Sequence, residues 1–194
     1  LKCPIYATPF TADILGHKLR EAGLEGDVDV TTIPLGGKFT IGPFELELIT
    51  LTHSIPEPNA IAIRTPVGTV LHTGDWKFDP DPVVGEVSDE DALRQLGEEG
   101  TLAIICDSTN VFTSGTSGSE GDLLKSLTDL ISTLKNRVVV TCFASNVARL
   151  ETIAAAAAAN DRDVVLAGRA LWRFSEVGRA NGCLQDTPAF LEED

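Results

Sequence analysis

Three positions in this chain set a chemically capable side chain at the end of an apolar run: His53 after LELITLT, Asp75 after GTVLHTG and Asp107 after TLAIIC. Runs dense in Val, Ile and Leu mark strands, and a polar residue where such a strand stops projects from the edge of its sheet. Neutral imidazole and carboxylate are both groups that zinc accepts. Two metal ions about 3.5–4 Å apart, bridged by a carboxylate, generate hydroxide at neutral pH and can hydrolyse a phosphodiester. The spacing alone leaves a second reading open, in which His53 is an ordinary hydrogen-bonded residue at a strand end.

A second constellation lies at Ser145-Asn146, which follows the apolar run RVVVTCFA and opens a helical stretch. Free N–H groups at a helix start bind phosphate, with Arg149 available beside them, while plain N-capping by the same two residues is the alternative. Other candidates carry no chemistry. His17 falls off the apolar stripe of its helix and is expected to face solvent, and His72 reads as a strand residue. The stretch from Gly115 to Gly121 lacks the Lys-Ser/Thr of a phosphate-binding loop and reads as a mobile connector. Cys3, Cys106, Cys142 and Cys183 form no C-x-x-C pair and are expected to be reduced core residues. The alanines from Ala154 to Ala159 supply helix propensity only.

The elements that must position these residues change character along the chain. KCPIYATP reads as a short buried strand, and Thr11 as the N-cap of the helix TADILGHKLREAG, closed by Gly23. VDVTTI, KFTI and FELELITL read as half-buried antiparallel strands, with Phe44, Leu46 and Leu48 alternating against Glu45 and Glu47. AIAIRT and GTVLHT form a hairpin across Pro66-Val67. An acidic, Pro-rich connection leads to a short helix at ALRQLGEE and to the strand TLAIIC. Beyond a Gly/Ser-rich stretch, DLLKSLTDLISTL, SNVARLETIAAAAAAN and RALWRFSEVGRANG read as helices alternating with strands at RVVVTCF and DVVLAG, the pattern of a parallel α/β layer. The architecture therefore changes near 111–120, giving a β-rich unit over 1–112 and a doubly wound α/β unit over 113–194.

Composition limits the partners. The 194 residues are 43% hydrophobic, enough for a core. No apolar run of membrane-spanning length and no secretory leader is visible, so no membrane partner and a cytoplasmic location are expected. The formal charge of −14 is adverse for a nucleic-acid enzyme, yet much of the acid is concentrated in 86–99 and 185–194 and reads as solvated faces. The chain has no Met and begins at Leu1, and it is expected to be a fragment of a longer protein.

The stretch HSIPEPNAIAIRTPVGTVLHTGDWKFD, followed by CDSTN at 106–110, resembles the metallo-β-lactamase superfamily and, within it, the β-CASP nucleases of the ribonuclease J family. TCFASNVARL and AGRALWRFSEVGRANG resemble the opening of the β-CASP insert. The resemblance implies part of a metallo-β-lactamase αββα sandwich, followed by the start of a β-CASP domain, in a zinc-dependent ribonuclease with two metal ions and RNA as substrate. It makes His53 and Asp75 metal ligands, with Asp75 bridging both ions and catalytic, and Asp107 a supporting catalytic carboxylate. It gives His72 no ligand role, and it allows a homo-oligomeric parent. The family's H-x-H-x-D-H motif and its later histidine motifs are absent, so the chain as given is expected to be inactive. Relatives usually carry a His where this chain has Ala148, which removes one contact from the Ser145-Asn146 site. A hydrolase acting on DNA or a small ester, and a metal-free structural fragment, are the alternatives.

Overall fold

The computed structural model describes residues 3–193. Leu1 and Lys2, at the head of the expected first strand, and Asp194, at the end of the acidic tail, lie outside the described residues. The chain forms two compact units. One takes residues up to His53 with Glu57–Pro80 and Glu86–Ser117, and the other takes Ser54–Pro56, Asp81–Gly85 and the residues from Gly118 on.

The first unit opens with β1 (Ile5–Ala7), α1 (Pro9–Glu21) and β2 (Val30–Thr32). β2 pairs parallel with β1, so VDVTTI is not an antiparallel neighbour of the following strand; the crossover through α1 returns the chain in the same direction. The helix also starts earlier than Thr11 suggested. Pro9 occupies its first turn, where the missing N–H costs nothing, and Thr8 is the N-cap residue. Its other end is as expected: Gly23, at φ 66°, lets Leu24 N–H donate to Leu19 C=O at 2.9 Å and Gly23 N–H to Arg20 C=O at 3.0 Å.

The main sheet holds β3 (Lys38–Ile41), β4 (Phe44–Thr50), β5 (Asn59–Thr65), β6 (Gly68–His72) and β7 (Ala103–Ile105) in that order. The first four pair antiparallel in sequence, and Thr65 opposite Gly68 leaves Pro66-Val67 as a two-residue turn. β7 joins β6 in parallel after the crossover that contains α2 (Glu90–Glu99). The acidic start of α2 is capped by Asp89, whose carboxylate accepts the Ala92 N–H at 2.9 Å. Its Leu96, Ala92 and Leu93 pack on a cluster of Ile49, Leu51, Ala60, Ala62 and Leu71. In β4 the expected in–out alternation gives way to a gradient, from exposed Phe44 and Glu45 to buried Leu48, Ile49 and Thr50.

The second unit is built on α3 (Asp122–Ser132), α4 (Val147–Ala158) and α5 (Arg169–Ala180). α4 is buried on most sides, through Val147, Ala148, Leu150, Thr152, Ala154, Ala156 and Ala157. Gly178 of α5 admits Val147 closely: a Cβ there would lie 3.5 Å from the valine methyl. The strands expected at RVVVTCF and DVVLAG do not form ladders among the described residues; a single parallel bridge joins Val165 to Leu191. A strand is stabilised by its neighbours rather than by its own propensity, and here Val139 and Phe143 remain 81% and 85% exposed. The class remains mixed α/β, with parallel and antiparallel pairing and five helices among the described residues. The cysteines are free, but they are not core residues: Cys3 and Cys106 are exposed, and Cys142 and Cys183 are half-buried. Among the described residues, no helix is long and apolar enough to cross a membrane.

Candidate functional site

The residues just before His53 and Asp75 show how the first unit holds its candidate site. Beyond β4, Thr52 bridges antiparallel to Lys77, and Lys77 N–H donates to Thr52 C=O at 2.9 Å. The Thr52 hydroxyl, in a residue 2% exposed, donates to the Lys77 carbonyl, accepts the Asp79 N–H at 2.9 Å and meets Ser88 Oγ at 3.1 Å. Three polar contacts on a buried hydroxyl satisfy it and tie the strand end bearing His53 to the segment that follows Asp75. Lys77 reaches Asp79 at 2.9 Å and compensates its buried charge.

The turn after β6 is equally constrained. Gly74 takes φ 62°, a conformation open to glycine, and its N–H donates to His72 Nδ1 at 3.1 Å. His72 is therefore a strand residue whose ring caps the turn. Thr73 is 6% exposed and its hydroxyl accepts the Asp107 N–H at 3.2 Å. The Asp107 carboxylate accepts Thr109 Oγ1 at 2.6 Å and Thr109 N–H at 3.0 Å. These bonds from Thr109 hold the Asp107 carboxyl below the usual range.

His53 is half-buried, and Asp75 and Asp107 are exposed. His53 and Asp107 lie within electrostatic reach of each other. Among the described residues, no group of three or more His, Cys, Asp or Glu side chains is gathered closely enough to hold a metal ion. A catalytic zinc takes three protein ligands and a structural zinc takes four, so the donors among the described residues do not by themselves fit a zinc ion. A separate pocket of about 630 Å³, lined by Phe78, Asp79, Ser88, Asp89 and Arg94 among others, includes none of the three candidates.

At the start of α4, in the second unit, the Asn146 side chain accepts the Arg149 N–H at 2.8 Å, which is the capping alternative realised. Ser145 is half-buried just before it. Arg149 is not standing ready for an anion. Its guanidinium grips Glu120 through two bonds, Nε to Oε1 and Nη2 to Oε2, the second at 3.1 Å. The bond to Glu120 raises the Arg149 pKa further. Nor is the connector loose throughout, because Ser119 Oγ donates to Asp81 C=O at 2.8 Å and Glu120 is only 9% exposed. Sequence reasoning passed over Glu120, Thr52 and Thr73. The available signals were a lone carboxylate in a Gly/Ser run just before a helix, and a β-branched hydroxyl directly ahead of His53 and another separated from Asp75 by Gly74 alone.

Comparison with known proteins follows this geometry. The family model described as "Ribonuclease J, beta-CASP domain" matches residues 135–194. Over all 194 residues the chain is 43% identical to "Ribonuclease J" of Sinorhizobium meliloti, covering 34% of that protein. Over 184 residues, 94% of the chain, it is 39% identical to "Ribonuclease J" of Thermus thermophilus, covering 32% of it. It is 30% identical to "Ribonuclease J2" of Bacillus subtilis over 185 residues, 95% of this chain and 33% of that one. A crystal structure of a protein of unknown function from Enterococcus faecalis V583 shares the fold at TM-score 0.58 and 18% identity, over 98% of this chain and 53% of that one. The chain spans about a third of the length of these curated relatives. Matched along 94% or more of its length by these three relatives, it belongs to the ribonuclease J family.

Proposed function

We propose that this chain is a segment of a zinc-dependent ribonuclease that hydrolyses RNA phosphodiester bonds with metal-activated water, in RNA processing and decay in the cytoplasm. The observation that carries the reading is the match at 43% identity along the whole chain to a protein named ribonuclease J. In this reading His53 and Asp75 would hold metal together with ligands supplied by the rest of the parent, and Asp107 would be a supporting carboxylate. Residues 1–112 belong to the metallo-β-lactamase domain and 113–194 begin the β-CASP domain. Ser145, Asn146 and Arg149 contact a substrate phosphate, which requires Arg149 to exchange the Glu120 carboxylate for the phosphate.

The test is turnover by the intact parent on RNA, on DNA and on a chromogenic phosphodiester. Preference for RNA is expected. Equal or better turnover of DNA or the small ester would move the assignment to another branch of the superfamily. For the isolated chain, a non-catalytic reading has its own support in the incomplete donor set.

A further inference from the structure

We infer that Thr73 is a positioning residue, whose hydroxyl staples the turn bearing Asp75 to the loop bearing Asp107 and thereby sets where the two carboxylates stand. Thr73 follows β6 directly and is 6% exposed. Its Oγ1 donates to the Gly74 carbonyl at 2.8 Å and accepts the Asp107 N–H at 3.2 Å. Its own N–H donates to Ile105 C=O at 3.0 Å, so main chain and side chain both join the end of β6 to the end of β7. A threonine hydroxyl has one proton and two lone pairs, and donating once while accepting once satisfies it in a buried place.

The partners give the bond its importance. Gly74 immediately precedes Asp75, and the other partner is the main chain of Asp107 itself. Gly74 is already restricted, with φ 62°, its N–H on His72 and the Asn59 carbonyl 3.5 Å from where a Cβ would stand. The carboxylates are exposed and have no core packing to fix them. The hydroxyl bond is a direct link between their loops, spanning 34 residues of sequence. Misplacing a catalytic group by about 1 Å can cost about a hundredfold in rate, so a bond of ordinary strength at this point has a large effect.

The bond is tested in the chain as it stands, by NMR-detected amide exchange. Thr73→Val keeps the shape and removes the acceptor; it should speed exchange of the Asp107 amide by about tenfold or more relative to β5 amides, and Thr73→Ser should hold it within about twofold of the parent. An Asp107 amide indifferent to Thr73→Val would overturn the staple. If Thr73→Val does not fold, Thr73→Ser against Thr73→Cys, whose sulfur is a weak acceptor, makes the same comparison.

The consequence for catalysis rests on the proposed ribonuclease reading and is tested in the full-length parent. Thr73→Val should lower kcat on RNA by about tenfold or more with KM within about twofold, and Thr73→Ser should restore kcat. Loss of amide protection with kcat unchanged would overturn the positioning role. An unsubstituted parent that does not cleave RNA would refute the ribonuclease reading instead, and the amide comparison would then judge the staple alone.

Discussion

Asp75 is exposed at the end of a turn and buries nothing, so it can be replaced without opening the core. In the intact parent, Asp75→Ala should abolish RNA cleavage while the thermal midpoint stays within a few degrees, because in the proposed reading this carboxylate would serve the metal centre rather than packing. Turnover retained in that variant would remove Asp75 from the mechanism. The strand-end placement of His53, Asp75 and Asp107 was legible in the sequence because each closes an apolar run, a local pattern. The groups that hold them were not, because their partners are distant: Thr52 bonds residues 25 to 36 positions away, and Thr73 bonds Asp107 across 34. A hydroxyl ahead of a ligand candidate looks like any β-branched strand residue until the fold brings its partner to it.

At the scale of elements, the hairpin of β5 and β6 and the helices were readable from period and turn chemistry, since neighbouring residues decide both. The strands at RVVVTCF and DVVLAG were read from composition, and composition cannot supply a ladder partner. Two predictions test how the sheet and α2 are held. Leu96, 2% exposed at the centre of the α2 contact, should lose about 2–5 kcal/mol of unfolding free energy on substitution to Ala, measured by denaturant titration. Glu47 of β4 pairs with Lys38 at 2.9 Å and with Arg64 at 2.6 Å, and Arg64 also reaches Glu99 of α2 at 3.0 Å. Burial works to raise the Glu47 carboxyl, and the hydrogen bonds from Lys38 and Arg64 outweigh it, so the group titrates below the usual range. The folded state then binds this proton more weakly than the unfolded chain. The stabilisation is therefore present above the unfolded carboxylate value and is lost as pH falls through the lower folded value. Glu47→Gln should remove about 1.5–3 kcal/mol at neutral pH and flatten the acid limb of stability against pH. An acid limb of the same slope in the variant would assign the acid sensitivity to other carboxylates.

For the whole molecule, a formal charge of −14 opposes a polyanionic substrate, so any grip on RNA must come from a few placed cations or metals rather than from the overall field. Arg149, the cation proposed for a phosphate, is engaged with Glu120. The metals depend on donors, and the donors bring the final prediction, for this chain by itself. A catalytic zinc takes three protein ligands and a structural one takes four, whereas the proposed centre draws on His53 and Asp75, with no group of three or more donors gathered among the described residues. Affinity at such sites comes from the complete set held in place. Altering one group in the shell around a metal typically costs about 10–100-fold, and lacking direct ligands must cost more. The strand ends should persist regardless, because Thr52 and Thr73 fasten them through the main chain and the sheet packs against α2 without help from a metal. The purified chain should therefore show a formed sheet, zinc binding that is weak and substoichiometric by metal analysis after dialysis, and no cleavage of RNA. Tightly bound stoichiometric zinc that is lost in both His53→Ala and Asp75→Ala would show that two donors and solvent suffice here, and that the missing ligands matter less than their number implies.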